Sequence, residues 1–316
     1  MAVKGEGAPE ASLCLKVYGV RGSHPVSGRE FLVCGGHTTC YAVRARGHLI
    51  ILDAGTGIID LGNELVGAER KTELSIRSSL FISHTHHDHT QGLPFFKPLY
   101  LADSQLYLFG PRANYVEIED ALAQGLAAPF FPVSLNETPS MKSIRSLVGR
   151  EEVCFFDAEP APVLSENRAD GESSPLPAIR VLVRYGEHHP KAGVLHFRIE
   201  SGGVSIVYAT DTEGVEGGDA NLIDFARGAD LLIHDAQYLP AEYASRTGGR
   251  RGYGHSTFEM ACEAARKAGV RRLLLHHHDP ERSDEEVQAI EREAQRLFPP
   301  TEAAREGMAY SLSRGA

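Results

Sequence analysis

The chain has 316 residues, 42% hydrophobic and 23% charged, so it can bury a sizeable core without disulfide or metal staples. Lys and Arg number 32 against 42 Asp and Glu, and the resulting net charge of −10 disfavours a polyanion such as DNA or long RNA as partner. The five cysteines form no CxxC pair, which argues against a thiolate zinc site and for a reducing compartment. No apolar run reaches the length of about 18 residues that a membrane span needs. The stretch from Met1 to Ala11 is polar and lacks the apolar core of a leader. A soluble, cytoplasmic protein without membrane contact is the expectation.

In chain order, Leu13, Leu15 and Val17 alternate with polar neighbours as a half-buried strand. His48 to Asp53 is a buried-strand run that stops at Ala54-Gly55-Thr56-Gly57. Leu80 to Ser83 is another, leading directly into a dense His/Asp segment. About 103–150 is expected to form a lid-like insertion, since its middle carries Pro, Phe and Ala with weak helical pattern. About 158–176 is expected as a mobile acidic loop. Later strands are predicted at Ile179–Val183, Leu195–Ile199, Val204–Tyr208 and Leu231–His234, with Ser201-Gly202-Gly203 as a hairpin turn. A helix should follow the capping box Ser256-Thr257-Phe258-Glu259 and stop at Gly269. A second helix opens at Ser283 with Glu286, carrying the stripe Val287, Ile290, Ala294 and Leu297. Strands followed by capped helices predict an α/β layered fold in a single domain over 1–316.

The chemistry concentrates in His84-Thr85-His86-His87-Asp88-His89, where four His and one Asp fall within six residues. The segment follows a strand, so His84 and His86 can face one point while Asp88 and His89 turn to a second. Imidazole with carboxylate suits zinc, manganese or iron. A polar surface loop is the blander alternative, disfavoured by this density. Two metals need more donors than one loop supplies, and strand ends are where these gather. Glu187-His188-His189-Pro190, Thr210-Asp211-Thr212 and His276-His277-His278-Asp279 each lie just past an apolar run. Singly, an Asp after a strand is usually a cap. Their recurrence beside the first cluster makes them ligand candidates.

The segment His84 to His89 resembles the HxHxDH signature of the metallo-β-lactamase superfamily. Leu52-Asp53-Ala54-Gly55-Thr56-Gly57, Tyr208-Ala209-Thr210-Asp211-Thr212, His234-Asp235-Ala236 and Gly254-His255-Ser256-Thr257 follow in the superfamily's order. Within it the chain is most similar to the phosphodiesterase branch, which includes ribonuclease Z and the phosphoribosyl cyclic-phosphate phosphodiesterases. The resemblance implies a four-layer αββα sandwich holding two divalent metal ions, zinc foremost with manganese or iron as alternatives. His84, His86 and His189 would bind the first metal. Asp88, His89 and His277 would bind the second, and Asp211 would bridge them. His188 stands as an alternative to His189, and His276 and His278 as alternatives to His277. Asp at the bridge, where true β-lactamases carry Cys, favours phosphoester or lactone hydrolysis. By likeness to ribonuclease Z, His255 oriented by Asp235 would assist the leaving group. Asp88, His255 and Asp235 form the candidate catalytic set. His37 is expected to be a hydrogen-bonded structural histidine near the site.

A hydroxide bridging two divalent ions would be available near neutral pH and could attack phosphorus in line. The expected substrate is a small, perhaps cyclic, phosphodiester, with Arg250 and Arg251 holding its phosphate from a Gly-flanked loop. A ribonuclease Z-like RNA endonuclease would need a Gly/Lys-rich tRNA-gripping arm, and no such basic insertion is visible. A lactonase or thioesterase using the same metals is a further alternative, as is a non-catalytic nucleotide-binding module. Related folds often pair, so a homodimer belongs among the expectations.

Overall fold

The computed structural model describes residues 13–72, 75–157, 159–165, 176–191, 193–215, 217–245 and 247–314. Strands β1 (Leu13–Gly19), β2 (Cys40–Ala45), β3 (His48–Leu52), β4 (Arg77–Phe81), β5 (Gln105–Pro111) and β6 (Met141–Leu147) lie side by side in that order. The second sheet is built from β7 (Glu152–Phe155), β8 (Val163–Leu164), β9 (Ile179–Gly186), β10 (Val194–Ser201), β11 (Val204–Ala209), β12 (Leu231–Asp235), β13 (Leu273–His276) and β14 (Thr301–Ala303). Its order is β14-β13-β12-β11-β10-β9-β7-β8, and the last strand, β15 (Ala309–Leu312), returns to pair with β1 in the first sheet.

Period-two alternation decides which faces meet. Leu195, Phe197 and Ile199 of β10 point into the space between the sheets, where they join Leu15, Val17, Phe81 and Phe109 from the opposite sheet. Phe81 and Phe197 meet edge to face across it at 5.4 Å. The outer face of the first sheet is covered by α1 (Ile58–Thr72) and α3 (Ile118–Gly125) through Ile58, Leu61, Ile118 and Leu122. The short α2 (His87–Thr90) carries part of the His/Asp segment. Along the chain, α4 (Ala220–Phe225) and α5 (Pro240–Tyr243) precede α6 (Phe258–Ala268) and α7 (Asp284–Leu297). Of these, α4, α6 and α7 bury Leu222, Phe258, Cys262 and Ile290 on the outer face of the second sheet. The four layers are helices, sheet, sheet, helices.

Several expectations change in detail. The 103–150 stretch is not a lid throughout, because β5 and β6 run parallel as the last two strands of the first sheet, β6 at its edge. The excursion narrows to the chain between them, built on α3. Thr257 alone caps α6, accepting from Met260 N, while the Ser256 hydroxyl donates to Thr212 O instead. Ser283 and Glu286 do form a reciprocal box at α7. Helix α1 was not anticipated. Of the acidic loop at 158–176, residues 158 and 166–175 lie outside the described residues, as does the start from Met1 to Ala11.

Parallel pairing has the consequence that matters for function. Strands β3, β4 and β5 are parallel, as are β11, β12, β13 and β14. Their carboxyl ends therefore open onto one edge of the sandwich. The segment Val20–Ser23 crosses that edge, pinned by Arg21, whose side chain is fully buried. Its Nε donates to Gly35 O at 2.8 Å and a terminal nitrogen to Arg282 O at 2.7 Å, with Asp284 facing it at 3.8 Å. Removing this guanidinium strands these two carbonyls, that of Asp279 at 3.3 Å, and a carboxylate. Arg21→Ala is expected to lower the unfolding free energy by about 3–5 kcal/mol, read from urea denaturation.

Candidate metal centre

Each element that reaches the common edge delivers a polar side chain at its end. After β3 comes Asp53, after β4 Ser83 and His84, and after β9 His189. Asp211 follows β11, Asp235 ends β12 and His277 follows β13. Asp53, Asp211 and His277 have φ of 59°, 46° and 61°, the left-handed region. A non-glycine residue there costs about 1–3 kcal/mol. The turn swings each side chain off the strand's alternation and into the edge.

Two overlapping clusters result. His84, His86, His189 and Asp211 bring donor atoms within 4.8 Å of one another, and so do Asp88, His89, Asp211 and His277. Asp211 is common to both: its Oδ2 lies 3.5 Å from His84 Nε2, and its Oδ1 lies 3.2 Å from His89 Nε2 and 3.1 Å from His277 Nε2. Asp88 Oδ2 stands 3.1 Å from His277 Nε2. His189 Nε2 approaches His86 Nδ1 at 3.2 Å. His86 is exposed, whereas the other six residues are buried.

The members of the histidine runs differ in position. His188 is half-buried and turns to Asp219 at 4.0 Å, outside the cluster that His189 enters. His276 is bound between Tyr41 OH at 3.0 Å and Thr210 Oγ1 at 2.9 Å. His278 gives its Nε2 to Ala304 O at 2.9 Å, and burial pushes its pKa down to about 3. His37 bonds Thr56 Oγ1 through Nδ1 at 3.1 Å and takes no part in either cluster.

Whether these residues fit metal ions is tested by where the opposite ring nitrogens go. His89 Nδ1 donates to Asp53 at 2.7 Å, and His277 Nδ1 to Gln237 Oε1 at 2.9 Å. His189 Nδ1 faces Gly254 O at 3.4 Å, and Ser83 Oγ lies 3.1 Å from His84 Nδ1. With one nitrogen protonated outward, the other presents a lone pair inward, which is the arrangement of metal-binding histidines. His84 Nε2 is buried with no hydrogen-bond partner, an arrangement that a cation would complete. The donor set fits two divalent cations sharing Asp211.

Sequence reasoning gave no role to the supports. Asp53 is fully buried and accepts from His89 Nδ1, Ser83 N, Ser83 Oγ and Tyr208 OH, between 2.6 and 2.8 Å. Ser23 N donates to Asp88 Oδ2 at 2.7 Å, and Gln237 also reaches Ser23 Oγ at 3.4 Å. An Asp closing a buried strand run was the one readable signal.

Electrostatics set the proton positions. Burial alone would drive charge off Asp211, yet the facing imidazoles of His277, His89 and His84 hold its carboxyl well below the usual range. Burial lowers His189 to about 4, keeping it neutral. His255 is opposite in sense. Burial disfavours its charge, but Asp235, bonded to its Nδ1 at 2.7 Å, outweighs that together with Asp211 and Asp88 and raises it to about 9. His255 lies beside the clusters, its ring stacked on His277 at 4.8 Å. Arg250 and Arg251 touch neither cluster. The Arg250 guanidinium sits 5.9 Å from the Tyr238 ring, whose edge meets His255 at 5.7 Å, while Arg251 turns to Tyr243 at 5.6 Å.

Comparison with known proteins agrees with this architecture. A beta-lactamase superfamily domain matches residues 48–278. The chain is 30% identical over 258 residues to ribonuclease Z of Thermococcus kodakarensis, covering 75% of this chain and 76% of that protein. It is 31% identical over 258 residues to ribonuclease Z of Thermococcus gammatolerans, with the same coverage of 75% and 76%. Among solved structures it superposes on the metallo-beta-lactamase fold protein YhfI from Bacillus subtilis with a TM-score of 0.59 at 21% identity, over 94% of this chain and 98% of that one. The short form of human tRNase Z gives 0.58 at 18% identity, over 95% and 100%. A diphosphatase of the PhnP family gives 0.58 at 15% identity, over 95% and 98%. The chain belongs to the beta-lactamase superfamily. It is a metal-dependent hydrolase of that fold, related to ribonuclease Z.

The two neighbouring histidines offer a direct check. His189→Ala is expected to lower bound metal from two equivalents to about one, by elemental analysis after dialysis. His188→Ala is expected to leave it unchanged. The reverse pattern would reassign the ligand.

Proposed function

We propose that the protein is a phosphodiesterase acting on a small linear or cyclic phosphodiester with two zinc ions, manganese or iron being the other candidates. The observation that carries this reading is the shared Asp211 with His255–Asp235 directly beside it. A carboxylate common to both clusters suits a pair of hard cations facing phosphoryl oxygens. The cations, when bound, supply Lewis acidity, acidifying water and neutralising charge on phosphorus-bound oxygens.

The remaining steps belong to the chain's own groups. His255 binds Asp235 through Nδ1, so the proton it can give resides on Nε2. Raised to about 9, it is protonated at neutral pH and can hand that proton to the departing alkoxide. Asp235 also accepts from Gln237 N at 3.1 Å and Ser256 N at 3.0 Å, which fixes the carboxylate and hence the imidazole. Arg250, stacked on the tyrosine that abuts His255, is placed to hold the far side of the substrate, and Arg251 takes a more peripheral part.

A second reading, RNA cleavage, draws on the ribonuclease Z relatives. The net charge of −10 weighs against a long polyanion and for the smaller substrate. A screen on the metal-loaded protein separates them. Bis-p-nitrophenyl phosphate and cyclic or linear nucleotide diesters should turn over, lactones and thioesters should not, and precursor tRNA should be cut poorly. Asp211→Ala should lose metal and turnover together. Efficient tRNA processing, or lactone turnover exceeding that of every diester, would displace the proposal.

The proton on His255 predicts an alkaline limb. The acid form is present below its pKa and lost as pH rises through it, so kcat should fall on the way to about 9. Bound cations offset Asp211 and Asp88, so the limb should lie below that value. Asp235→Asn should move it lower still, measured from the pH dependence of kcat on a diester with an alkyl leaving group.

A further inference from the structure

Three parts of the site come from chain segments far apart in sequence: Asp211 after β11, His189 after β9, and His255 before α6. Nothing in the metal clusters themselves explains how the three keep register. Each of those segments converges on Glu213. Its backbone N–H donates to His188 O at 2.9 Å, tying it to the turn that carries His189. Its carboxylate reaches the other way. Oε1 accepts from Gly252 N and Tyr243 OH, both at 2.7 Å, and Oε2 accepts from Gly254 N at 3.0 Å. The residue itself lies two positions beyond Asp211.

Gly254 makes the connection consequential. Its carbonyl faces His189 Nδ1 at 3.4 Å, and its φ is 89°. A Cβ there would stand 2.3 Å from Pro190 Cδ and 2.5 Å from His189 Nδ1, so this backbone is packed directly against the imidazole. The next residue is His255. A carboxylate gripping Gly254 N therefore sets, through one peptide, the carbonyl that orients His189 and the start of the segment that presents His255. Bonds donated by backbone N–H groups to a carboxylate are charge-assisted and stronger than neutral ones.

We propose that Glu213 is a positioning residue for both halves of the chemistry: it holds the orientation of the first-cluster ligand His189 and the placement of the leaving-group acid His255. The inference rests on the roles given above for those two histidines. It touches neither substrate nor cation, and it acts through Gly254.

The test uses the full chain with Glu213→Ala and Glu213→Gln. An amide keeps one acceptor oxygen and can serve only one of the two ends of the carboxylate. Zinc titration of the metal-free protein is read first, with no substrate present. Glu213→Ala should weaken one of the two equivalents about 10–100-fold while the other keeps its affinity, and Glu213→Gln should fall between. Kinetics are read second, comparing bis-p-nitrophenyl phosphate, whose leaving group needs no proton, with a nucleoside diester whose alkoxide leaving group does. At saturating zinc, the variant should lose about tenfold or more in kcat on the poor leaving group, with KM little changed and the p-nitrophenyl diester spared. Wild-type affinity at both equivalents with an unchanged kcat ratio overturns the proposal. So does a uniform loss on both substrates accompanied by a lower thermal midpoint of the metal-free protein, since that is what a merely structural strap would show. If no diester is turned over even by the wild type, the phosphodiesterase reading falls, and the zinc titration alone still decides the role of Glu213.

Discussion

Three imidazole nitrogens and a second carboxylate lie close around Asp211, and most of this volume is shut off from water. His89 Nε2 and His277 Nε2 are 3.4 Å apart, closer than two lone pairs would choose. Carboxylates in such a place lose hydration that their neighbours must replace, at a cost of several kcal/mol per ion when unpaired. Holding donors at this spacing is the constraint to which the rest of the molecule answers. Cations relieve the repulsion when they bind, but the protein has to fold with the donors already facing one another.

The answer lies behind the donors. Every buried imidazole in the two clusters has its outer nitrogen near a fixed group: the Asp53 carboxylate, the Gln237 amide, the Gly254 carbonyl or the Ser83 hydroxyl. Those partners are themselves fixed. Asp53 is saturated by four donors, one of them the hydroxyl of Tyr208 from the opposite sheet. That bond crosses the interior of the sandwich, so the packing of one sheet on the other sets the orientation of a ligand at its edge. The inter-sheet core is therefore part of the site's machinery: Phe81 and Phe197 hold the sheet separation, and the separation holds His89.

This division explains how much could be read from the residues alone. The strand ends were legible because an apolar run followed by His or Asp is a pattern that local chemistry imposes. Choosing His277 from its triplet was not a matter of pattern. His276 continues the strand and bonds across the interior, then φ at His277 turns positive and throws that one ring into the edge. Only the tertiary path of the chain decides this. Asp53 and Glu213 stood out by no pattern of their own, because a carboxylate at or past a strand end is usually a cap. What distinguishes them is the identity of their partners, which come from up to 155 positions away. Helix α1 went unread: Ile58, Leu61 and Leu65 show helical spacing, but its start directly after Gly57 carries no capping signal. For β5 and β6, short apolar alternation was submerged in the weak pattern of the segment between them.

The two clusters differ in their access to water. Asp88, His89, Asp211 and His277 are all buried, whereas the other cluster includes the exposed His86. His255 lies on the second cluster's flank and remains 12% exposed at its side chain, so His86 and His255 are the parts of the site nearest water. This asymmetry gives the shared carboxylate a second task. Asp211 joins the buried half, whose donors are side chains shut off from water, to the half that His86 opens to solvent. The tightly supported cluster can then fix the geometry, and the looser one can change its contacts during turnover without the whole edge coming apart.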